Sequence, residues 1–87
     1  MPKLLIAYEM NSFNGNCEEL CRQICALGPA RQILKNVWVV KTMKTAHGVQ
    51  LQLGRLMKAN DKLFVTSFVL WSGTHLPLQD SQWLRLP

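Results

Sequence analysis

From Lys3 to Met10 the chain reads KLLIAYEM, and two-residue alternation puts Leu4, Ile6, Tyr8 and Met10 on one face and Leu5, Ala7 and Glu9 on the other. Both faces are mostly apolar. A strand with one side in water does not read this way, so this one is expected at the centre of a sheet, covered by helices on one side and by a second subunit on the other. Whatever the chain folds into must supply two layers of cover for that strand.

The remaining segments supply helices and partner strands. NSFNGN (Asn11 to Asn16) is turn-rich, with Asn16 placed to cap a helix. From Cys17 to Leu27 the residues Cys17, Leu20, Cys21, Ile24, Cys25 and Leu27 fall in one stripe at helical spacing, Glu18 and Glu19 complement the dipole in the first turn, and Gly28-Pro29 stops the helix. Two β-prone runs follow, Ala30 to Leu34 and Val37 to Lys41, joined by Lys35-Asn36 in a hairpin. A second helix is expected from Ala46 to Ala59, capped by Thr45, with Val49, Leu53, Leu56 and Met57 inward and Leu51 outward. Asn60-Asp61 breaks it, and KLFVTSFVLW (Lys62 to Trp71) is the longest β-prone run.

The order strand, helix, strand, strand, helix, strand predicts an α+β protein, a ferredoxin-like β-α-β-β-α-β sandwich with a C-terminal tail or extra edge strand. A single domain over 1–87 is expected, its core spanning about 3–71 and its tail 72–87. The tail either adds an edge strand to its own sheet or crosses to a partner. The sheet face away from the helices is the natural place for a dimer contact or a ligand.

At 87 residues the chain buries a modest share of its surface, and its 17% charged fraction lies below the usual roughly 25%. Apolar surface is therefore expected to remain for a partner subunit. Ten Lys and Arg against five Asp and Glu give a net charge of +5, which favours anionic partners, although the basic residues are scattered rather than gathered in a tail. Three cysteines spaced by four do not make a metal knuckle, and they read as reduced thiols in a cytosolic core. The apolar run Leu4 to Tyr8 is too short for a signal peptide or a membrane span, so a cytoplasmic protein with no membrane contact is expected.

No phosphate-binding glycine loop, HExxH or Ser with a matching His and acid is present. His47 and His75 read as surface or packing residues or, alternatively, as a general acid or base. Glu9 stands out as an acid ending an apolar strand, followed by Asn11, Ser12 and Asn14. It can be a strand-end ion pair, or it can hold Mg²⁺ together with a mate from a second subunit. Trp38, Trp71, Trp83 and Phe13 are potential stacking surfaces whose default is packing.

The first strand LLIAYEM, the second hairpin arm NVWVVKT and the helix-closing NDKLFV together resemble the SinR-like and VapD-like relatives of the CRISPR-associated Cas-two endoribonuclease family, over roughly residues 3–70. The resemblance implies a sheet-to-sheet homodimer, a C-terminal strand able to complete the partner's sheet, and RNA or duplex DNA as ligand. In nuclease members the first strand ends in Asp, whose two copies hold the metal. Here it ends in Glu9, one methylene longer, which displaces the carboxylate from a preorganised site.

The favoured expectation is a dimeric, non-catalytic nucleic-acid-binding subunit, contacting phosphate through Asn11, Ser12, Asn14, Arg31, Lys35, Lys41 and Lys44. One alternative is a Mg²⁺-dependent endoribonuclease with Glu9 as its catalytic and metal-binding residue. The other is an adaptor or inhibitor that docks on another protein by edge-strand addition.

Overall fold

The computed structural model of the chain describes residues 2–11 and 17–87. Among these the order of elements is β1 (Lys3–Glu9), α1 (Cys17–Leu27), β2 (Ala30–Leu34), β3 (Val37–Lys41), α2 (Ala46–Gly54), β4 (Lys62–Phe68) and α3 (Leu78–Arg85). The four strands form one open antiparallel sheet in the order β2-β3-β1-β4. The chain is therefore α+β, with β1 and β3 inside and β2 and β4 at the edges.

The inner face of β1 is covered as its sequence requires, the outer face only in part. Leu4, Ile6 and Tyr8 are buried with Val40 of β3 beneath α1 and α2, which contribute Leu20, Ile24, Val49 and Leu53 to the same core. Leu27, Trp38, Leu56, Met57, Leu63 and Val65 close its margins. The β2–β3 hairpin turns at Lys35-Asn36 as expected. Gly28 ends α1 where the chain passes close to β3; a Cβ there would collide with the carbonyl oxygen of Lys41.

Thr45 caps α2, its hydroxyl accepting from the Gly48 amide at 3.0 Å. Val49 and Leu53 point inward and Leu51 outward. The helix is shorter than expected, ending at Gly54 instead of Ala59. Beyond Gly54, a poor helix former, Leu56 and Met57 donate three residues back to Leu53 and Gly54, and this tighter winding turns both side chains onto the core.

Three further expectations are corrected. Cys17 and Cys25 are exposed and Cys21 half-buried, so the thiols do not form core. At about 100° per residue, the cysteine row lies beside the Leu20–Ile24 row rather than on it. The strand expected over Lys62 to Trp71 stops at Phe68, which pairs with Lys3, the first residue of β1. The tail forms no edge strand. It folds as α3, with Pro77 at its start accepting from the Asp80 and Ser81 amides, Asp80 in its first turn and Arg85 in its last.

No helix among the described residues is long and apolar enough to cross a membrane.

Candidate functional site

The sheet face opposite α1 and α2 carries Lys3, Leu5, Ala7 and Glu9 of β1, with Arg31, Val37, Val39 and Lys41 on one side and Lys62, Phe64, Thr66 and Phe68 on the other, as the strand registers require. The tail divides this face in two. At the start of β1, α3 lies over β2 and β3, burying Val39 and its own Leu84. At the end of β1 the face is open.

The covered half gathers cations. Lys41 is 5% exposed, and its Nζ donates to the Trp83 carbonyl at 2.8 Å. Arg31 pairs with Asp80 at 2.9 Å. The Trp83 ring lies over both, its centre 4.2 Å from Lys41 Nζ and 5.8 Å from the Arg31 guanidinium carbon. Lys3 sits directly opposite Lys41 on the neighbouring strand. Burial, followed by the charges of Lys3 and Arg31, holds the Lys41 ammonium below its ordinary pKa. Between the sheet and residues 69–77 runs an apolar cleft of about 400 Å³, lined among others by Leu5, Val37, Phe68, Trp71 and Leu76.

The open half is built differently. Ala7 pairs with Val37 on one side and Phe64 on the other, which makes a low apolar floor with an aromatic ring standing at its edge, 63% exposed. One step along, Glu9 faces Lys62 across the strands, and both are exposed. The Tyr8 amide donates to Asn36 O at 3.1 Å, bringing the hairpin turn and Lys35 up to this end of the sheet. A shallow pocket of about 420 Å³ lies here among Ala7, Glu9, Asn36, Val37, Lys62 and Phe64.

The candidates read from sequence are thus split. Glu9, Asn11 and Lys35 lie at the end of β1, whereas Arg31 and Lys41 lie at its start, on the order of 20 Å away along a seven-residue strand. Lys44 follows β3, and its Nζ donates to Gln52 Oε1 at 3.2 Å. Ser12 and Asn14 lie outside the described residues, as do the stacking candidate Phe13 and the cap Asn16.

Asn11 acts as a clasp. Its amide nitrogens donate to Asp61 Oδ1 (2.9 Å), to Asn60 O (3.2 Å) and, more weakly, to Glu9 Oε2 (3.4 Å), tying the end of β1 to the turn before β4. Asp61 also accepts from the Lys58 amide. Among the described residues no cluster of three or more His, Cys, Asp or Glu could hold a metal. Glu9 alone does not build a magnesium site within one subunit; a mate from a second copy would be required. His47 and His75 are both exposed, the one on α2 and the other in the segment between β4 and α3.

Sequence reasoning missed Phe64. The signal was present: in KLFVTSF, alternation places Leu63 and Val65 on the helix side and Lys62, Phe64, Thr66 and Phe68 on the other. The three tryptophans, potential stacking surfaces whose default was packing, all pack. Trp38 sits against the core, Trp71 lines the cleft, and Trp83 covers the cations.

No protein-family model, curated protein or solved structure matches the chain.

Proposed function

We propose that this protein binds nucleic acid on the open half of its sheet, as a ferredoxin-like homodimer without turnover of its own. The observation that carries this reading is Phe64, an exposed ring on a flat floor of Ala7 and Val37 with Lys62 beside it. An antiparallel sheet bearing aromatic side chains on its uncovered face suits stacking of unpaired bases, and neighbouring lysines suit the phosphates between them. The net charge of +5 acts in the same direction.

The ferredoxin-like assignment is supported by the split β1-α1-β2 unit, in which β3 lies between β1 and β2. Support for a dimer comes from the uncovered edge of β4 and from Val69 and Leu70 just beyond it, 88% and 91% exposed.

A second reading keeps Glu9 as the metal-binding residue of a Mg²⁺-dependent endoribonuclease. It is favoured by the position of Glu9 on the same open face, where a face-to-face dimer would bring two copies towards each other.

One experiment separates the two. Labelled single-stranded RNA and duplex DNA are titrated with wild type, Phe64→Thr and Glu9→Gln, with Mg²⁺ and with chelator. The expected result is salt-sensitive binding without cleavage, indifferent to chelator and weakened about 5- to 150-fold by Phe64→Thr, the equivalent of roughly 1–3 kcal/mol for a stacked base. Metal-dependent cleavage abolished by Glu9→Gln would replace this reading with the nuclease. Absence of both binding and cleavage would point to a protein partner instead.

A further inference from the structure

We infer that Lys3, Arg31 and Lys41 form a second, capped binding site for a phosphodiester backbone, and that α3 is the displaceable cap which occupies it in the unliganded protein.

The sheet places these three cations on one face at the start of β1. Like charges directly opposite one another on neighbouring strands repel, and Lys3 and Lys41 are such a pair. Burying Lys41 adds a desolvation cost that an apolar residue under α3 would not incur. Nothing in the packing of a helix on a sheet requires that arrangement.

What α3 offers the cluster imitates an anionic ligand. Asp80 gives Arg31 a carboxylate, the Trp83 carbonyl in the last turn of the helix gives Lys41 the negative end of the helix dipole, and the indole covers both as a base would. One carboxylate against three cations leaves the site short of negative charge. A phosphodiester chain would supply it more fully.

The attachment of α3 suits release. Of its side chains only Leu84 is fully buried, and residues 69–77, which join it to β4, form neither helix nor strand. That tether can extend roughly 30 Å, enough to clear the face. Elements held by so few buried contacts open at the low end of a protein's local stability range. Arg31 and Lys41 lie on the same face as the Phe64 platform, so a strand bound there could continue across the sheet once α3 lifts. The inference rests on the nucleic-acid reading for the class of ligand, and on the covered half alone for the site.

The test uses the full chain and a fluorescein-labelled oligouridylate. Leu84→Ser removes the anchor of α3 without changing charge. It is expected to tighten binding several-fold and to steepen the salt dependence by about 2 in log–log slope, near 0.7 for each newly engaged cation on a single strand. Lys41→Gln in the Leu84→Ser background should return most of that gain. In wild type, saturating oligouridylate should speed amide hydrogen exchange over Leu78–Arg85, a readout that depends on no substitution.

Unchanged affinity and slope in Leu84→Ser, or α3 amides that stay equally or better protected with ligand, would overturn the cap while leaving the Phe64 reading standing. Binding by Leu84→Ser but not by wild type would uphold the cap and remove the Phe64 platform. No binding by either protein would remove both.

Discussion

The two halves of the sheet face opposite α1 and α2 are made from the same strands yet have opposite characters. Where β1 begins, the face carries three cations and is closed by a helix; where it ends, the face carries a ring, a small apolar floor and a Glu–Lys pair, and stays open. The difference shows how a short tail distributes cover. α3 lies over β2 and β3, and its tether and Leu84 flank Leu5 of β1, so the tail covers Val39, Lys41 and Arg31 but leaves Phe64 on the far edge strand exposed. The apolar outer face of β1 is therefore completed from within the chain at one end and left for a ligand or a second copy at the other.

Gly28→Ala strikes the support of the covered half and should have the largest effect. Its Cβ would meet the Lys41 carbonyl, and since that obstacle is backbone, no rotamer change relieves it. We expect a loss of more than about 2 kcal/mol in global stability by urea denaturation. Leu84→Ala should cost up to about 2 kcal/mol, but locally: hydrogen exchange over α3 should rise while the core amides of β1 and β3 stay protected. If the core loosens in step, α3 is an integral layer and the contrast between the halves is only one of exposure.

A third measurement concerns the buried side of β1. Burial raises the Tyr8 hydroxyl to about 12, with the neighbouring Cys21 Sγ at 3.8 Å adding to the shift. Because the folded-state value lies above the unfolded value near 10, this contribution is fully present below pH 10 and is lost as pH rises towards 12. The stability difference between wild type and Tyr8→Phe should therefore move against wild type across that window. A flat difference would mean that Tyr8 ionises in the fold as freely as in water.

How much of this was legible depended on whether the signal was local. The hairpin at Lys35-Asn36, the span Cys17–Leu27 and the Thr45 cap follow from near-neighbour periodicity and were readable. The fate of residues 69–87 was not. VLW reads as more strand, and the ladder stops at Phe68 because the partner strand β1 begins at Lys3, which nothing in VLW itself announces. The use of Lys41 was hidden for the same reason: a lysine ending a strand reads as a solvated charge until a helix from the far end of the sequence is laid over it. Phe64 was readable in principle, since alternation alone assigns its face, but which face stays open depends on where the tail goes.

That dependence makes Phe64→Thr the sharpest small-effect test. Phe64 is mostly exposed, and threonine, like phenylalanine, favours strands, so its removal should change stability by no more than about 0.5 kcal/mol. The same substitution should weaken oligonucleotide binding by an order of magnitude. A substitution silent in denaturation and loud in binding marks a ring kept for a ligand. A clear loss of stability that grows with protein concentration would instead show the ring buried between two copies, making the open half a subunit interface and leaving the capped cations as the ligand site.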